Sequence, residues 1–424
     1  MKKLLFSLLA AALLPLTGAT VYRNAFEDAA GLAGFSSDPN IRIENGSLTA
    51  EFKNRIEYRT ISKTLAAEAF SGYFIRMSCE VRAENILQTK RDFEGIKLEL
   101  SMTAKSGKKS WGNIRFPKES WDWKKFEAIF PVPDDLERIS LAIGMQNSAG
   151  KYQLRNLKME TVAVPVNIRS VANMGYRDEV AGDGKGGWTD QGPKQDGRTF
   201  AERLWQYVYA GIPIDAIPGG KSVLTLYSEH FTTGPKEAVI PVKAAIEAKT
   251  LYLLHALAWA PALKDKFVGT ITLKDRNGRI QKISVEDKRD VTDWYRQTAN
   301  LPNGYGVLKG RTGDGNLAGI YLSRFTVDPE MDEIAEIRFQ SVPECIWLIL
   351  AGTLSPVDIP LPDTKPTVVQ ANSEWLPMAE VKQNRILPGS ALDVSAWLPK
   401  GSVDELGRVV IKDGHFVFEK NPSQ

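Results

Sequence analysis

The sequence predicts an all-β protein with two β-sandwiches in tandem. Runs of alternating apolar and polar residues recur through the first part of the chain, as in Ile75–Val81 and Ile139–Met145. This period of two is typical of half-buried strands. Turn signals such as Asn45-Gly46 separate the runs. Because no long helical pattern interrupts this spacing, a pair of β-sandwiches is the expected architecture.

The 424 residues are enough for two or three domains. In the second half, Leu251–Trp259 is apolar throughout, as expected of a central strand covered on both faces. Arg276–Arg279 contains Asn-Gly and predicts a type I′ hairpin. The predicted divisions are a first sandwich over 20–163, a second sandwich over 164–355, a proline-rich linker over 356–377 and a short tail over 378–424.

The N-terminus, residues 1–19, has the three parts of a signal peptide. Lys2 and Lys3 are followed by the apolar stretch Leu4–Leu16 and by small residues that predict cleavage after Ala19. The apolar stretch is too short to span a membrane, and no later stretch is long enough. We therefore expect an exported mature chain without a membrane span, located in the extracellular space, in the periplasm or at the cell surface.

The charge and cysteine content exclude several classes of protein. The net charge is +3 and no dense Lys/Arg block occurs, so nucleic acid is not an expected partner. Cys79 and Cys345 each lie in an apolar setting, and we expect two buried thiols rather than a disulfide framework.

Four segments of the first sandwich resemble the jelly-roll carbohydrate-binding modules attached to secreted glycosidases. They are Asn24–Asp28, Phe70–Phe74, Trp123–Pro133 and Tyr152–Met159. The resemblance implies that Trp123 is a core tryptophan. In that family a late aspartate often shares a calcium with an early glutamate. Here Arg155 takes the place of the aspartate, which argues against a calcium at Glu27.

The second sandwich resembles a galactose-binding-like module of exported glycosidase-associated proteins. The matching segments are Asn173–Val180, Asp183–Gly192, Gly211–Ile214, Leu251–Ala256 and Val291–Trp294. In the tail, a hairpin around Asp413-Gly414 resembles the lead-in to a (β/α)₈ catalytic barrel in related glycosidases. The resemblance therefore implies the N-terminal accessory region of a secreted bacterial glycoside hydrolase, ending where the barrel, here missing, would begin.

Residues 173–196 form a glycine-rich loop with several aspartates. So much glycine is unsuited to a helix or strand interior. Asp178, Asp183 and Asp190 have the oxygen ligands that calcium prefers, which makes a structural calcium one interpretation. The alternative is that these aspartates form side-chain-to-backbone turn bonds. No other cofactor is indicated.

A sugar site needs an aromatic ring for the C–H face of the sugar and polar groups for its hydroxyls. The candidate sugar contacts are Trp111, Trp121, Trp188, Trp259 and Trp294. By contrast, motifs such as H-E-x-x-H, G-x-S-x-G, C-x-x-C and the P-loop do not occur. The histidines at 230, 255 and 415 are scattered, and His255 is expected to be a core residue. We assign no catalytic residue and leave enzymatic activity open.

The sequence thus predicts an exported, non-catalytic carbohydrate-binding protein, or an accessory region that supports polysaccharide degradation. Its expected partners are a polysaccharide or oligosaccharide and a separate or downstream catalytic domain. One alternative is the N-terminal fragment of a glycoside hydrolase whose barrel is missing. A second alternative is a cell-surface structural or adhesion protein whose sandwiches act as spacers.

Overall fold

The computed structural model describes residues 18–204, 207–263, 265–296, 301–362 and 401–421. The predicted signal peptide up to residue 17, most of the linker and residues 378–400 of the tail lie outside the described residues. The chain divides into two units, Met1–Lys365 and Pro366–Gln424. About 52% of the structure is strand and 6% is helix, which confirms the all-β prediction.

Eight strands build the first sandwich. They are β1 (Thr20–Asn24), β2 (Ile41–Glu44), β3 (Ser47–Leu65), β4 (Phe74–Glu84), β5 (Gly95–Ala104), β6 (Lys109–Asn113), β7 (Trp121–Pro131) and β8 (Leu136–Val166). Alternate residues such as Met77 and Leu98 are buried in one core, as the period of two predicts. Short 3₁₀ helices lie at Ala29–Leu32 and Ala67–Ala69.

Strand β8 is shared by both sandwiches. Its first part pairs with β5, and its later part pairs with β4 and β1. At its end, Val164 pairs with Leu354 of the second sandwich. The predicted boundary between residues 163 and 164 therefore falls inside a continuous strand. The two sandwiches belong to the single unit Met1–Lys365.

The second sandwich consists of strands that follow the glycine-rich loop. They are β9 (Val208–Tyr209), β10 (Ile212–Pro213), β11 (Leu224–Thr225), β12 (Glu237–Pro241), β13 (Thr250–Ala258), β14 (Phe267–Asp275), β15 (Ile280–Glu286), β16 (Gly304–Arg311), β17 (Leu317–Thr326), β18 (Ile334–Ser341) and β19 (Ile346–Ser355). The helix α1 (Arg198–Ala201) and 3₁₀ helices at Ile168–Ser170 and Ala260–Ala262 complete it.

Strand β13 is buried on both faces, which confirms the expectation from its apolar sequence. Leu251 and Leu253 face the sheet β12-β18-β14-β15 across one core. On the opposite face, Tyr252 and Leu254 pack in a second core with side chains from the segment 174–216. The glycine-rich loop is therefore the start of a cover over this face of the sheet.

Two local expectations have different outcomes. Cys79 and Cys345 are buried and unbridged, as predicted. The hairpin between β14 and β15 forms, but the predicted type I′ turn was wrong. Of its two central residues, only Gly278 has a positive φ, of 89°. Gly278 N–H donates to the Asp275 carbonyl, and Asp275 N–H donates to the Arg279 carbonyl. These bonds define a type I turn followed by a glycine bulge.

The second unit contains a capped helical turn and a hairpin. Helix α2 (Val403–Leu406) starts at Ser402, whose hydroxyl accepts from Glu405 N–H in a capping box. Strands β20 (Val409–Lys412) and β21 (His415–Phe418) pair through Asp413 and Gly414. Both turn residues have positive φ, so the predicted tail hairpin has a type I′ turn. Among the helices that the structure describes, none is long and apolar enough to cross a membrane.

Candidate functional site

The outward face of β5 carries polar residues that follow from its alternation. Leu98 and Leu100 point into the core, so Lys97 and Glu99 point to the opposite side of the sheet. Across the antiparallel ladder, Ser101 stands opposite Trp111 of β6. Residues directly opposite on one ladder share a face. Trp111 therefore lies on the same face as Lys97 and Glu99.

Strand β3 completes this face on the other side of β8. Thr60 pairs with Gly144, which in turn pairs with Lys97. Tyr58 lies two residues before Thr60 and so points to the same side. Burial raises the pKa of the Tyr58 hydroxyl, and the negative charge of Glu99 raises it further, against a hydrogen bond with Thr60.

The loop between β4 and β5 adds a third aromatic ring. Lys97 Nζ lies 5.6 Å from the centre of the Phe93 ring and 3.3 Å from Glu99 Oε2. Lys97 and Glu99 are only 5% and 9% exposed, whereas Tyr58, Phe93 and Trp111 are 49%, 45% and 53% exposed. We call these five residues the aromatic face. It presents three accessible rings on the side of the sheet that carries a recessed ion pair.

The aromatic face offers two kinds of contact at once. Exposed rings pack against the apolar C–H side of a sugar, and a carboxylate and an ammonium group bond to its hydroxyls. Exposed apolar residues scattered singly are normal on protein surfaces. Here the three rings share a face with a buried charge pair, so the arrangement fits a ligand that is amphipathic in the same way.

The other predicted sugar contacts are placed differently. Trp121, Trp188 and Trp294 are buried, so their assignment as sugar contacts is corrected to packing. Trp121 Nε1 donates to the Val81 carbonyl at 2.9 Å. The rings of Trp188 and Trp294 lie 5.2 Å apart in the core that covers β13. Trp259 is half-buried and stacks on His230 at 5.2 Å, away from the aromatic face in the second sandwich.

The implied core position of Trp123 was also wrong. This residue is half-buried, and the Arg155 guanidinium lies 4.2 Å from the centre of its ring. Arg82 lies 5.4 Å from the same ring. Trp123 therefore makes cation–π contacts with two arginines instead of packing in the core.

The glycine-rich loop brings together the three aspartates predicted as calcium ligands. Carboxylate oxygens of Asp178, Asp183 and Asp190 all lie within 4.8 Å of one another. Burial raises the pKa of Asp178, and the charges of the other two aspartates raise it further. The cluster therefore concentrates negative charge that a cation would relieve.

The same carboxylates already hold the loop by hydrogen bonds. Asp190 accepts from Gly182 N–H at 3.1 Å and from Gly184 N–H at 2.9 Å. Asp178 accepts from Gly192 N–H at 2.6 Å, and Asp183 accepts from Lys185 N–H at 2.8 Å. These are the turn bonds of the alternative interpretation. Calcium at this cluster stays a prediction.

His255 is a core residue, as expected. Its Nδ1 accepts from Trp347 Nε1 at 3.0 Å, and its Nε2 lies 2.7 Å from Ser323 Oγ. Since the indole can only donate, Nδ1 is unprotonated. Burial lowers the pKa of this imidazole to about 3. A neutral, fully bonded histidine of this kind is part of the packing of β13.

Sequence reasoning identified Trp111 but missed Tyr58, Phe93, Lys97 and Glu99. A signal for Lys97 and Glu99 was present, because the apolar alternation of β5 leaves them on the outward side. Phe93 lies in a loop, where no periodicity assigns a side. Tyr58 follows a register shift in β3 between Phe52 and Ile56, so its side is not readable from the first half of the strand.

Comparison with known proteins gives weak similarities only. No family model and no curated protein matches the sequence. The tandem CBM22-1–CBM22-2 domain of Paenibacillus barcinonensis Xyn10C aligns with 9% identity over 80% of this chain and 98% of that chain, with a TM-score of 0.30. The CBM22-1 xylan-binding domain of the same protein gives 13% identity, 34% and 96% coverage and a TM-score of 0.26.

A Clostridium thermocellum endo-1,4-β-D-xylanase structure, of the CBM22-1 and GH10 modules complexed with xylohexaose, aligns with 15% identity over 34% of this chain. Its TM-score is 0.27, and the chain spans 29% of the length of that xylanase chain. Similarities at this level do not assign a family or a ligand to the chain.

Proposed function

We propose that the protein binds carbohydrate through the aromatic face of its first sandwich. One observation carries the proposal: three exposed rings lie on the same side of the sheet as the recessed pair Lys97 and Glu99. Ion pairs on a solvent-facing strand normally stay in water, because burying charge carries a desolvation cost. A recessed pair among exposed rings is instead suited to a ligand that supplies both C–H faces and hydroxyls.

Each part of the aromatic face has a distinct role in this proposal. Trp111, Tyr58 and Phe93 pack against sugar rings. Glu99 accepts hydrogen bonds from hydroxyl groups, and Lys97 donates to them. Since Lys97 and Glu99 also hold each other at 3.3 Å, the polar groups are oriented before the ligand arrives, which reduces the entropy lost on binding.

We further propose that the protein acts outside the cytoplasm in support of polysaccharide degradation. The support is the predicted signal peptide and the resemblance of both sandwiches to modules of secreted glycosidases. The resemblance of the tail to a barrel lead-in supports a catalytic partner, separate or downstream. Sequencing the gene beyond the codon for Gln424 tests the downstream alternative, since a (β/α)₈ barrel would continue the same reading frame.

The binding proposal is tested by retention on a panel of plant, algal and mucin polysaccharides. We expect the chain to be retained on at least one of them. Trp111→Ala and Tyr58→Ala should each weaken retention at least about tenfold, equivalent to ~1.4 kcal/mol. Phe267→Ala is the matched control, because Phe267 is an exposed ring on β14 of the second sandwich. No retention on any polysaccharide would favour the spacer alternative.

A further inference from the structure

Trp111 belongs to two surfaces. It stands opposite Ser101 on the aromatic face, and it also lines a cleft of about 600 Å³ between the two sandwiches. The first sandwich contributes Lys108, beside β6, and the loop between β7 and β8. The second sandwich contributes Arg169, Asp215 and Lys243. The aromatic face and the cleft therefore meet at one tryptophan ring.

The walls of the cleft are fixed by contacts between the sandwiches. Lys243 Nζ lies 3.2 Å from Asp134 Oδ2, and Tyr73 donates its hydroxyl proton to the Ala245 carbonyl at 2.9 Å. Strand β8 also continues from one sandwich into the other. Ligand sites are usually preformed concave spaces of this size, often at domain junctions. The cleft has these properties without any rearrangement.

The charges of the cleft indicate a neutral ligand. Its lining includes three cations, Lys108, Arg169 and Lys243, and three carboxylates, Asp134, Asp135 and Asp215. Arg169 Nη1 lies 3.4 Å from Asp215 Oδ2. The lining has no excess of either sign, so it offers a charged ligand no net opposite charge. Hydroxyl groups donate and accept without disturbing this balance.

The cleft also has apolar walls that suit the C–H faces of a sugar. Proline rings form several of them, and a proline wall is rigid because the ring fixes its own backbone angle. These prolines are Pro131, Pro133, Pro165, Pro218 and Pro241. Rigid apolar walls with a few polar groups are the usual composition of a small-molecule site.

We propose that a neutral, linear glycan follows one continuous track, from the aromatic face over Trp111 into the cleft between the sandwiches. The inference rests on the proposed function and extends it by naming the ligand class and a second set of contacts. The track predicts that the binding affinity depends on the length of the glycan. A short oligosaccharide occupies only the aromatic face, whereas a longer one also contacts the cleft.

Isothermal titration calorimetry of the whole chain with trisaccharides and hexasaccharides of the retained polysaccharide tests the track. The hexasaccharide should bind the wild type at least about tenfold more tightly than the trisaccharide. Asp215→Asn should remove most of this difference and leave the trisaccharide affinity unchanged. Lys108→Met is a second cleft variant with the same expected result, on an exposed turn where the fold is not at risk. Asp328→Asn, at an exposed carboxylate near Arg279, is the control.

Equal affinity for both lengths in the wild type would overturn the track. So would cleft variants that keep the full length dependence, or that weaken the trisaccharide as much as the hexasaccharide. In these cases the proposed function stands as long as Trp111→Ala still weakens binding. If neither sugar binds the wild type, the proposed function and the track both fail.

Discussion

Lys97 Nζ and Glu99 Oε2 lie 3.3 Å apart on the outward side of β5, where both side chains are recessed but keep 6% and 12% of their surface accessible. A buried ion pair contributes little net stability, because desolvation offsets its Coulomb attraction. Removing one partner nevertheless lowers the free energy of unfolding strongly, because the other charge remains buried without a partner. The proposed function gives a reason to keep both charges at this place.

Variants of the Lys97–Glu99 pair should affect stability and polysaccharide binding differently. Glu99→Leu should lower the free energy of unfolding by about 3–5 kcal/mol, because it leaves the Lys97 ammonium buried and unpaired. The double variant Lys97→Met/Glu99→Leu should recover most of that loss yet bind polysaccharide weakly. Urea unfolding and retention assays measure the two quantities. Normal retention by the double variant would remove the ion pair from the site.

The correction at Trp188 leads to a second prediction. This ring packs between Tyr176 and Phe200, and its Nε1 has no hydrogen-bond partner among the described residues. Trp188→Phe should therefore change stability little, whereas Trp188→Ala should cost about 3–5 kcal/mol through the cavity it leaves. Thermal unfolding compares the two. A loss of sugar retention in Trp188→Phe, with unchanged stability, would restore this residue to the site.

The all-β class was predictable because apolar and polar residues alternate with a period of two in segments such as Ile75–Val81. The position of Tyr58 was not. Leu48 and Ala50 of β3 face the core, but the register shift between Phe52 and Ile56 changes which residues of the strand face outward. The register advances by four residues on β3 against two on β8, and beyond it the odd-numbered Ile61 faces the core. Single-sequence periodicity does not locate it.

Trp188 illustrates a second limit of sequence reasoning. A glycine-rich loop predicts exposure, yet the uncovered face of β13 needs apolar cover, and the loop supplies it. Gly197 lies so close to Trp188 that an added Cβ would sit 2.5 Å from the ring, so this glycine permits the close approach. The sequence of β13 shows that both of its faces are covered, but it does not show which segment covers the second.

The neutral state of His255 predicts a pH dependence of stability. Its pKa falls from 6.5 to about 3 because burial outweighs the nearby charge of Asp290. Between these values the unfolded chain binds a proton that the folded chain does not. The free energy of unfolding therefore decreases as the pH falls through this window, by up to ~1.4 kcal/mol per pH unit.

Denaturant unfolding at a series of pH values between 7 and about 4 measures this dependence. His255→Gln should reduce the slope by about one proton, whereas the exposed tail residue His415, changed to Gln, should leave it unchanged. An unaltered slope in His255→Gln would show that the imidazole titrates equally in both states.

The aspartate cluster distinguishes turn bonds from calcium. Asp190→Ala should lower the free energy of unfolding by about 1–3 kcal/mol, because Gly184 N–H loses its acceptor and Gly182 N–H keeps only the backbone carbonyl of residue 190. Since hydrogen bonds already hold the loop, we expect the same melting temperature in calcium and in a chelator. Thermal unfolding with each tests this. A higher melting temperature in calcium that Asp183→Asn abolishes would establish the ion site. Asp183 is suited to this test because, among the described residues, its exposed carboxylate bonds only to Lys185 N–H.

Sugar binding on the aromatic face is tested by a crystal structure of the protein with a retained oligosaccharide. We expect one sugar ring packed on the Trp111 indole and hydroxyl groups within hydrogen-bond distance of Lys97 Nζ and Glu99 Oε2. A sugar bound elsewhere, with Tyr58, Phe93 and Trp111 free of it, would overturn the proposed function.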